Sequence, residues 1–319
     1  MRKLVELDPW KIKQNELGSD QRSYESIFSI GNGSFGQRAN FEESYSGKSL
    51  LGNYAGGIYY PDPTKVGWWK NGYPDYFAKV LNSCNWTRID IKIDDYCLDL
   101  SKLEVQSFYR ELDMNSGILS RKFKVKLPNK KQIQVNAQRF CSMHNDEIGA
   151  ISYSIISDQE IKINIKSFLD FDVKNEDSNY DEYFWHDLKP QVKNECDLII
   201  AATKKTNFFV ALSQFTNLNI DNDDFIKPYE NTIGDRFVSR SFECILEQGK
   251  TLTINKYVSI LTSLKYDKKK LIDIVYKNAL NAKSDTFEKL KKDHSKVWQE
   301  IWDNADIQIN GDIKAQQAI

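Results

Sequence analysis

Carboxylates are the first residues in this sequence whose types and spacing could do chemistry. Glu42 and Glu43 are adjacent, Asp170 and Asp172 stand two apart, and Asp113 precedes Met114-Asn115-Ser116-Gly117. Acid–base catalysis of the glycosidase kind needs two carboxyl groups facing one reacting centre, one of them protonated. Neighbours on an extended segment point to opposite faces. Glu42 and Glu43 therefore read as a turn or solvated pair rather than a dyad. Asp113 reads as a turn carboxylate bonded to backbone N–H groups two positions on, and Asp170 with Asp172 takes the same reading at a strand end. No catalytic residue is assigned in this chain.

Gly31, Gly33 and Gly36 spell G-x-G-x-x-G after Ile27-Phe28-Ser29-Ile30, a pattern that can open a dinucleotide site. Such a site needs a helix that starts inside the glycines and carries an apolar face. The following QRANFEESYSG is too polar and too broken for that helix. The stretch from Glu25 to Glu43 reads instead as a strand, a Gly-Asn-Gly turn and a returning segment, since Gly and Asn readily supply positive φ. No cofactor is expected.

From Leu50 to Tyr76 the chain is rich in Gly, Pro and aromatic residues, which favours a long structured loop over regular strands. Its centre holds Trp68, Trp69, Lys70 and Tyr73. Indole rings stack on the apolar faces of sugars and also pack at protein interfaces, so both readings stay open, as they do for Tyr183, Phe184 and Trp185 in the acidic stretch Asp172 to Glu195. The three histidines lie far apart and none sits in a ligand-spaced motif, so no metal site is expected. Five cysteines, an odd number without a C-x-x-C pair, read as reduced and mostly buried thiols.

The elements that must position these residues are mostly strands. Ile89, Ile91 and Ile93 alternate with Asp90, Lys92 and Asp94, the pattern of a strand with one dry face. Further strand-length runs follow, from the hairpins around Asn115-Ser116-Gly117 and Pro128-Asn129-Lys130 to LTINKYVSIL. They predict a mainly β fold, a large antiparallel β-sandwich over residues 1–263 with Trp10 anchoring its opening strand. After Ser263 the period becomes helical: Leu271, Val275 and Ala279, then Phe287, Leu290, Val297, Ile301 and Trp302 form an apolar stripe over residues 264–304. That stripe docks on the sandwich or on a following domain. Residues 305–319 read as the first turns of a further helix. A net charge of -1 gives no general field for nucleic acid or an anionic membrane. Without a signal peptide or a long apolar run, a cytoplasmic location is expected.

The ordered pieces ESIFSIGNGSFGQR (25–38), YAGGIY (54–59), RELDMNSG (110–117), RFCS (139–142) and the W-x-x-x-W of Trp298 and Trp302 resemble the N-terminal part of glycoside hydrolase family 65, the maltose, trehalose and kojibiose phosphorylases. The VGWWKNGYP block at 66–74 is most similar to the maltose phosphorylase branch. The resemblance implies a galactose-mutarotase-like super-sandwich, a helical linker and an (α/α)6-barrel, of which residues 305–319 would be the start. It implies that a barrel glutamate protonates the glycosidic oxygen while inorganic phosphate, a co-substrate, attacks the anomeric carbon with inversion. The complete enzyme would convert maltose and phosphate to glucose and β-glucose 1-phosphate. No position here matches the family's catalytic glutamate or phosphate-binding segment, so the chain alone is expected to be inactive. Its partners would be a small neutral sugar, its own barrel domain and a second copy in a homodimer. Arg38, Glu42, Glu43, Trp185, Trp298 and Trp302 are then expected to face the barrel. The alternative is a stand-alone carbohydrate-binding or oligomerisation module.

Overall fold

Alternating apolar and polar residues set most of the chain in strands, each with one face turned to a core. A computed structural model describes residues 7–64, 72–176, 183–221 and 223–318. Ile89, Ile91 and Ile93 are buried on one face of their strand, and Ile91 and Ile93 stand opposite Ile165 and Ile163 of Ile161–Asp170. With Phe237–Leu246, Glu230–Ile233 and Tyr96–Cys97 these strands make a five-stranded antiparallel sheet.

The larger, ten-stranded sheet runs in the order Lys11–Gln14, Glu104–Asp113, Ile118–Lys126, Gln132–Cys141, Ile148–Ser157, Thr251–Thr262, Phe209–Ile220, Cys196–Thr203 and Trp185–Lys193, with Asp223–Ile226 paired to Phe209–Ile220. Every pairing is antiparallel. Phe123, Val135, Ile155 and Ile254 on its inner face merge with Ile91, Ile163 and Phe242 of the smaller sheet into one core, the packing of a β-sandwich.

Helix α1 (Gln21–Ile27) covers one end of the large sheet. Sequence reasoning expects a strand through Ile27 and Phe28, and the structure corrects it. Asp20 caps the helix by accepting from Ser23 N–H, as short carboxylates do. Tyr24 and Phe28, one helical turn apart, then pack on Leu112 and Leu119. The expected turn does form beyond α1: Ile30 pairs with Gln37 around Gly33, whose φ is 86°.

The outer face of the large sheet is dry at its centre, and the strand Cys196–Thr203 is buried along its whole length. Leu271, Val275, Ala279 and Ala282 of α2 (Leu271–Asp285) lie on Ala150, Leu198 and Ala211 there. Thr286 alone joins α2 to α3 (Phe287–Ala305), at φ 60°, with its hydroxyl accepting from Lys289 N–H. The apolar stripe of α3 docks on the sandwich. Phe287 and Leu290 are buried in the same outer core, and Trp302 donates its indole N–H to Met114 O at 3.2 Å. The Trp302 ring meets Trp10 at 4.9 Å, edge to face. In α4 (Ile313–Ala318), Gln317 donates to Lys11 O at 2.9 Å.

Two expected loops also hold strands. Asn53–Ala55 pairs with Phe35–Gln37, and Tyr59–Pro63 forms a ribbon with Tyr76–Val80. Trp185–Lys193 is an edge strand of the large sheet. Pro61, Pro63 and Pro190 mask these strands in the sequence, yet proline is tolerated where an edge leaves its nitrogen unpaired.

Candidate functional site

Three adjacent strands of the large sheet turn a repeating pattern inward: Phe108, Arg110, Leu112; then Leu119, Arg121, Phe123; then Ala137, Arg139, Cys141. Each series puts one arginine in the apolar phase, and all three are buried. Arg110 stands directly opposite Arg121, and Arg139 is one diagonal step away, opposite Leu119.

The segment Arg38–Glu43 crosses this row of guanidinium groups. The chain bends at Glu42 and Glu43 instead of running extended, so the two carboxylates converge. Arg121 grips Glu43 with both terminal nitrogens, and its Nη2 also reaches Glu42. Arg139 Nη1 donates to the other oxygen of Glu42 and to Asn40 O at 2.8 Å. Tyr153 donates its hydroxyl to Glu43 at 3.2 Å. Burial alone would raise the pKa of Glu42, but Arg139 and Arg121 outweigh it and hold it at about 2. Burial likewise works to lower Arg121, and Glu43 and Glu42 reverse this to raise it. Glu42 thus carries no proton to donate near neutral pH. The reading of this pair as solvated or turn residues, pointing to opposite faces, is overturned by the bend.

The residues expected to face a barrel all have partners within the chain. Arg38 donates to Leu50 O, Ser26 Oγ and Arg22 O. Glu42 and Glu43 are enclosed as described. Trp185 is buried in the inner core beside Phe171 and donates to Asn82 O at 2.7 Å, because its strand continues the sheet. Trp298 stacks on Trp302 at 5.7 Å, and both pack toward the Met114–Gly117 turn. Trp68, Trp69 and Lys70 lie outside the described residues. Tyr73 is 54% exposed, and Tyr76 and Phe77 beside it are also exposed.

The remaining carboxylates are occupied too. Asp113 accepts from Asn115 and Ser116 N–H at 3.0 and 3.2 Å, and Asp170 accepts from Arg88 and from Asp172 N–H. Asn32 closes the glycine turn by accepting from Ser34 and Phe35 N–H, and no helix begins there. Among the described residues, no group of three His, Cys, Asp or Glu could hold a metal ion. Cys84, Cys141 and Cys196 are buried, Cys244 is half-buried and Cys97 is exposed, all as free thiols. Outside the Glu42–Glu43 bend lies a cleft of about 560 Å³, walled by Phe41, Tyr45, Arg88, Asp90, Asp99 and Asp170 among others.

Sequence reasoning passes over Arg110, Arg121 and Arg139 as site residues. The signal that could find them is phase: a charge at the apolar register of an alternating strand demands a buried partner.

Among the described residues, Arg121 and Arg139 answer Glu42 and Glu43, and Arg240 answers Asp197. The chain belongs to glycosyl hydrolase family 65, whose N-terminal domain matches residues 12–301. It is 34% identical to the maltose phosphorylase of Bacillus subtilis (strain 168), over 99% of this chain and 42% of that one. It is 29% identical to the alpha,alpha-trehalose phosphorylase of Thermoanaerobacter brockii, over 98% of this chain and 42% of that one. A solved structure named as a candidate kojibiose phosphorylase from the human microbiome superposes with a TM-score of 0.88 at 28% identity, covering 98% of this chain and 41% of its own. The chain thus spans about two-fifths of the length of these relatives.

Proposed function

We propose that this chain is the non-catalytic β-sandwich and helical linker of a cytoplasmic α-glucosidic disaccharide phosphorylase, with maltose as the substrate of the complete enzyme. The observation that carries it is the closed state of the Glu42–Glu43 pair, gripped by Arg121 and Arg139, in a domain similar along its length to part of several phosphorylases. In this reading a carboxylic acid in a following barrel protonates the leaving oxygen, and inorganic phosphate takes the place that water has in an inverting glycosidase. The sandwich and linker support that barrel and a second copy of the protein. Phosphate-dependent release of glucose 1-phosphate from maltose, trehalose and kojibiose tests it, with the 319-residue chain and with a version extended through the downstream reading frame. Activity only in the extended version, and greatest on maltose, is expected; turnover by the short chain overturns the reading.

One observation favours a second reading, a carbohydrate-binding module. The cleft of about 560 Å³ beside Tyr45 falls in the size range of small-ligand sites and offers carboxylates to sugar hydroxyls. Titration of the chain with maltose, followed by tryptophan fluorescence, separates the two: saturable binding supports the module, and a flat signal removes it.

A further inference from the structure

The strand pairings of the large sheet bring several of its turns to one rim. The turns at 114–117, 142–147 and 204–208 stand there, together with the residues that follow Thr262. Asn32 ties the glycine turn to the same rim by donating to Ser142 O and Asp146 O. Trp302 reaches it at Met114 O. Gln317 of α4 reaches it at Lys11, which stands opposite Asp113. The last described helix therefore lies on this rim.

The ribbon of Tyr59–Pro63 and Tyr76–Val80 rises from it as well. Thr206 donates its hydroxyl to Tyr59 O at 3.0 Å, and the Tyr59 and Phe208 rings meet edge to face at 5.5 Å. Residues directly opposed in a strand pair share a face. The pairs Tyr59–Val80, Pro61–Ala78 and Pro63–Tyr76 thus make one face without a charge. Asp62 and Lys79, the charges of these two strands, pair with each other at 2.7 Å on the other face. Tyr76, Phe77 and Val80 are each about half exposed, as is Leu264 beside Gly57 at the foot of the ribbon. A two-stranded ribbon is marginal in water by itself, and a contiguous exposed apolar surface marks a site of interaction.

We propose that the uncharged face of this ribbon is where the following barrel docks, through apolar side chains of its own. The inference rests on the reading that a barrel follows, and it moves the docking surface to Tyr76, Val80 and their neighbours from Arg38, Glu42, Glu43 and Trp185, which are engaged within the sandwich. Two observations favour the barrel over a second copy. The matched part of the family is its N-terminal domain, and the relatives exceed this chain by more than half of their own length. The chain also reaches its last described helix on the rim that carries the ribbon, so a domain continuing from α4 is held beside it at high effective concentration.

Hydroxyl-radical labelling of Tyr73, Tyr76 and Phe77, read by mass spectrometry, tests this in the 319-residue chain and in the version extended through the downstream reading frame. A fall of about fivefold or more in the extended version is expected, the change from a half-exposed to a buried side chain. Equal labelling in the two overturns the proposal. Labelling of the short chain that is already low and rises on dilution assigns the face to a second copy and overturns it too. Tyr76→Lys with Val80→Lys should leave the Tm of the short chain within ~1 °C, since both positions are exposed, and should return Tyr73 and Phe77 of the extended version to the short-chain level; unchanged protection there overturns the apolar contact. Phosphorolysis is measured on the same extended version. Protection without turnover keeps the docking surface and removes the proposed activity, whereas turnover with a fully labelled ribbon does the reverse.

Discussion

A Cβ placed on Gly117 would stand 2.1 Å from Nε1 of Trp298, so the indole occupies the space that any side chain at 117 would need. Gly117 also has a φ of 65°, the left-handed region that costs other residues roughly 1–2 kcal/mol. Gly117→Ala therefore meets two penalties at once. Adding ~1–3 kcal/mol for overpacking, the loss should be about 2–5 kcal/mol in urea unfolding. Trp298→Ala in the same background should remove the steric part, leaving a coupling between the two substitutions that a double-mutant cycle reads directly.

His294 should make the docking of α3 sensitive to acid. Its Nδ1 accepts from Met143 N–H at 3.0 Å, so the ring proton sits on Nε2, 3.3 Å from Gly117 O. Burial disfavours the cation and lowers its pKa to about 4. An unfolded chain takes up this proton near pH 6.5 and the folded chain only near 4. Stability from this group is thus complete above about pH 6.5 and falls by ~3 kcal/mol as the pH drops to 4. His294→Gln should flatten that part of the profile; an unchanged slope would show that the ring is not the titrating group.

Arg121 should resist conservative exchange. Its fork binds Glu43 through two nitrogens and Glu42 through one of them, a geometry that an ammonium cannot reproduce. Arg121→Met leaves two buried carboxylates facing each other and should cost ~3–5 kcal/mol. Arg121→Lys should recover only part of this. The double replacement of Arg121 and Glu43 by apolar residues, which leaves Glu42 paired with Arg139, should be less harmful than Arg121→Met alone, which equilibrium denaturation can decide.

Phe287 and Leu290 of the α3 stripe are buried against the sandwich and Val297, Ile301 and Trp302 are half-buried, so the isolated chain should not associate through this face. Sedimentation equilibrium should give the same mass for the unaltered chain and for Val297→Asp. Leu290, buried in the outer core, should lose ~2–5 kcal/mol on replacement by Ala.

The strands are legible wherever the period of two is uninterrupted, as at Ile89, Ile91 and Ile93, because alternation is a local consequence of one buried face. The helices α2 and α3 are legible for the matching reason at four-residue spacing. What escapes the sequence is set by distant contacts. Helix α1 carries only Tyr24 and Phe28 as its apolar face, too few to outvote the glycine-rich turn beside it. Trp185 looks like a loop aromatic until its strand is seen as a sheet edge. Glu42 and Glu43 look solvated because nothing near them in sequence announces Arg121, 78 positions on. The candidate site is therefore written in long-range pairings, which period and propensity do not encode.

The clasp between the first strand and the last helices carries a cost in time. Gln317 reaches the carbonyl of Lys11 across 306 positions, and the Trp10 ring finds Trp302 only when α3 exists. At a synthesis rate of about 5–20 residues per second, the strand Lys11–Gln14 leaves the ribosome roughly 15–60 s before this cover is made. Through that interval its outer edge stands open to other strands. Lys11 and Lys13 alternate along it, and their charges guard the growing chain against mispairing until α3 arrives.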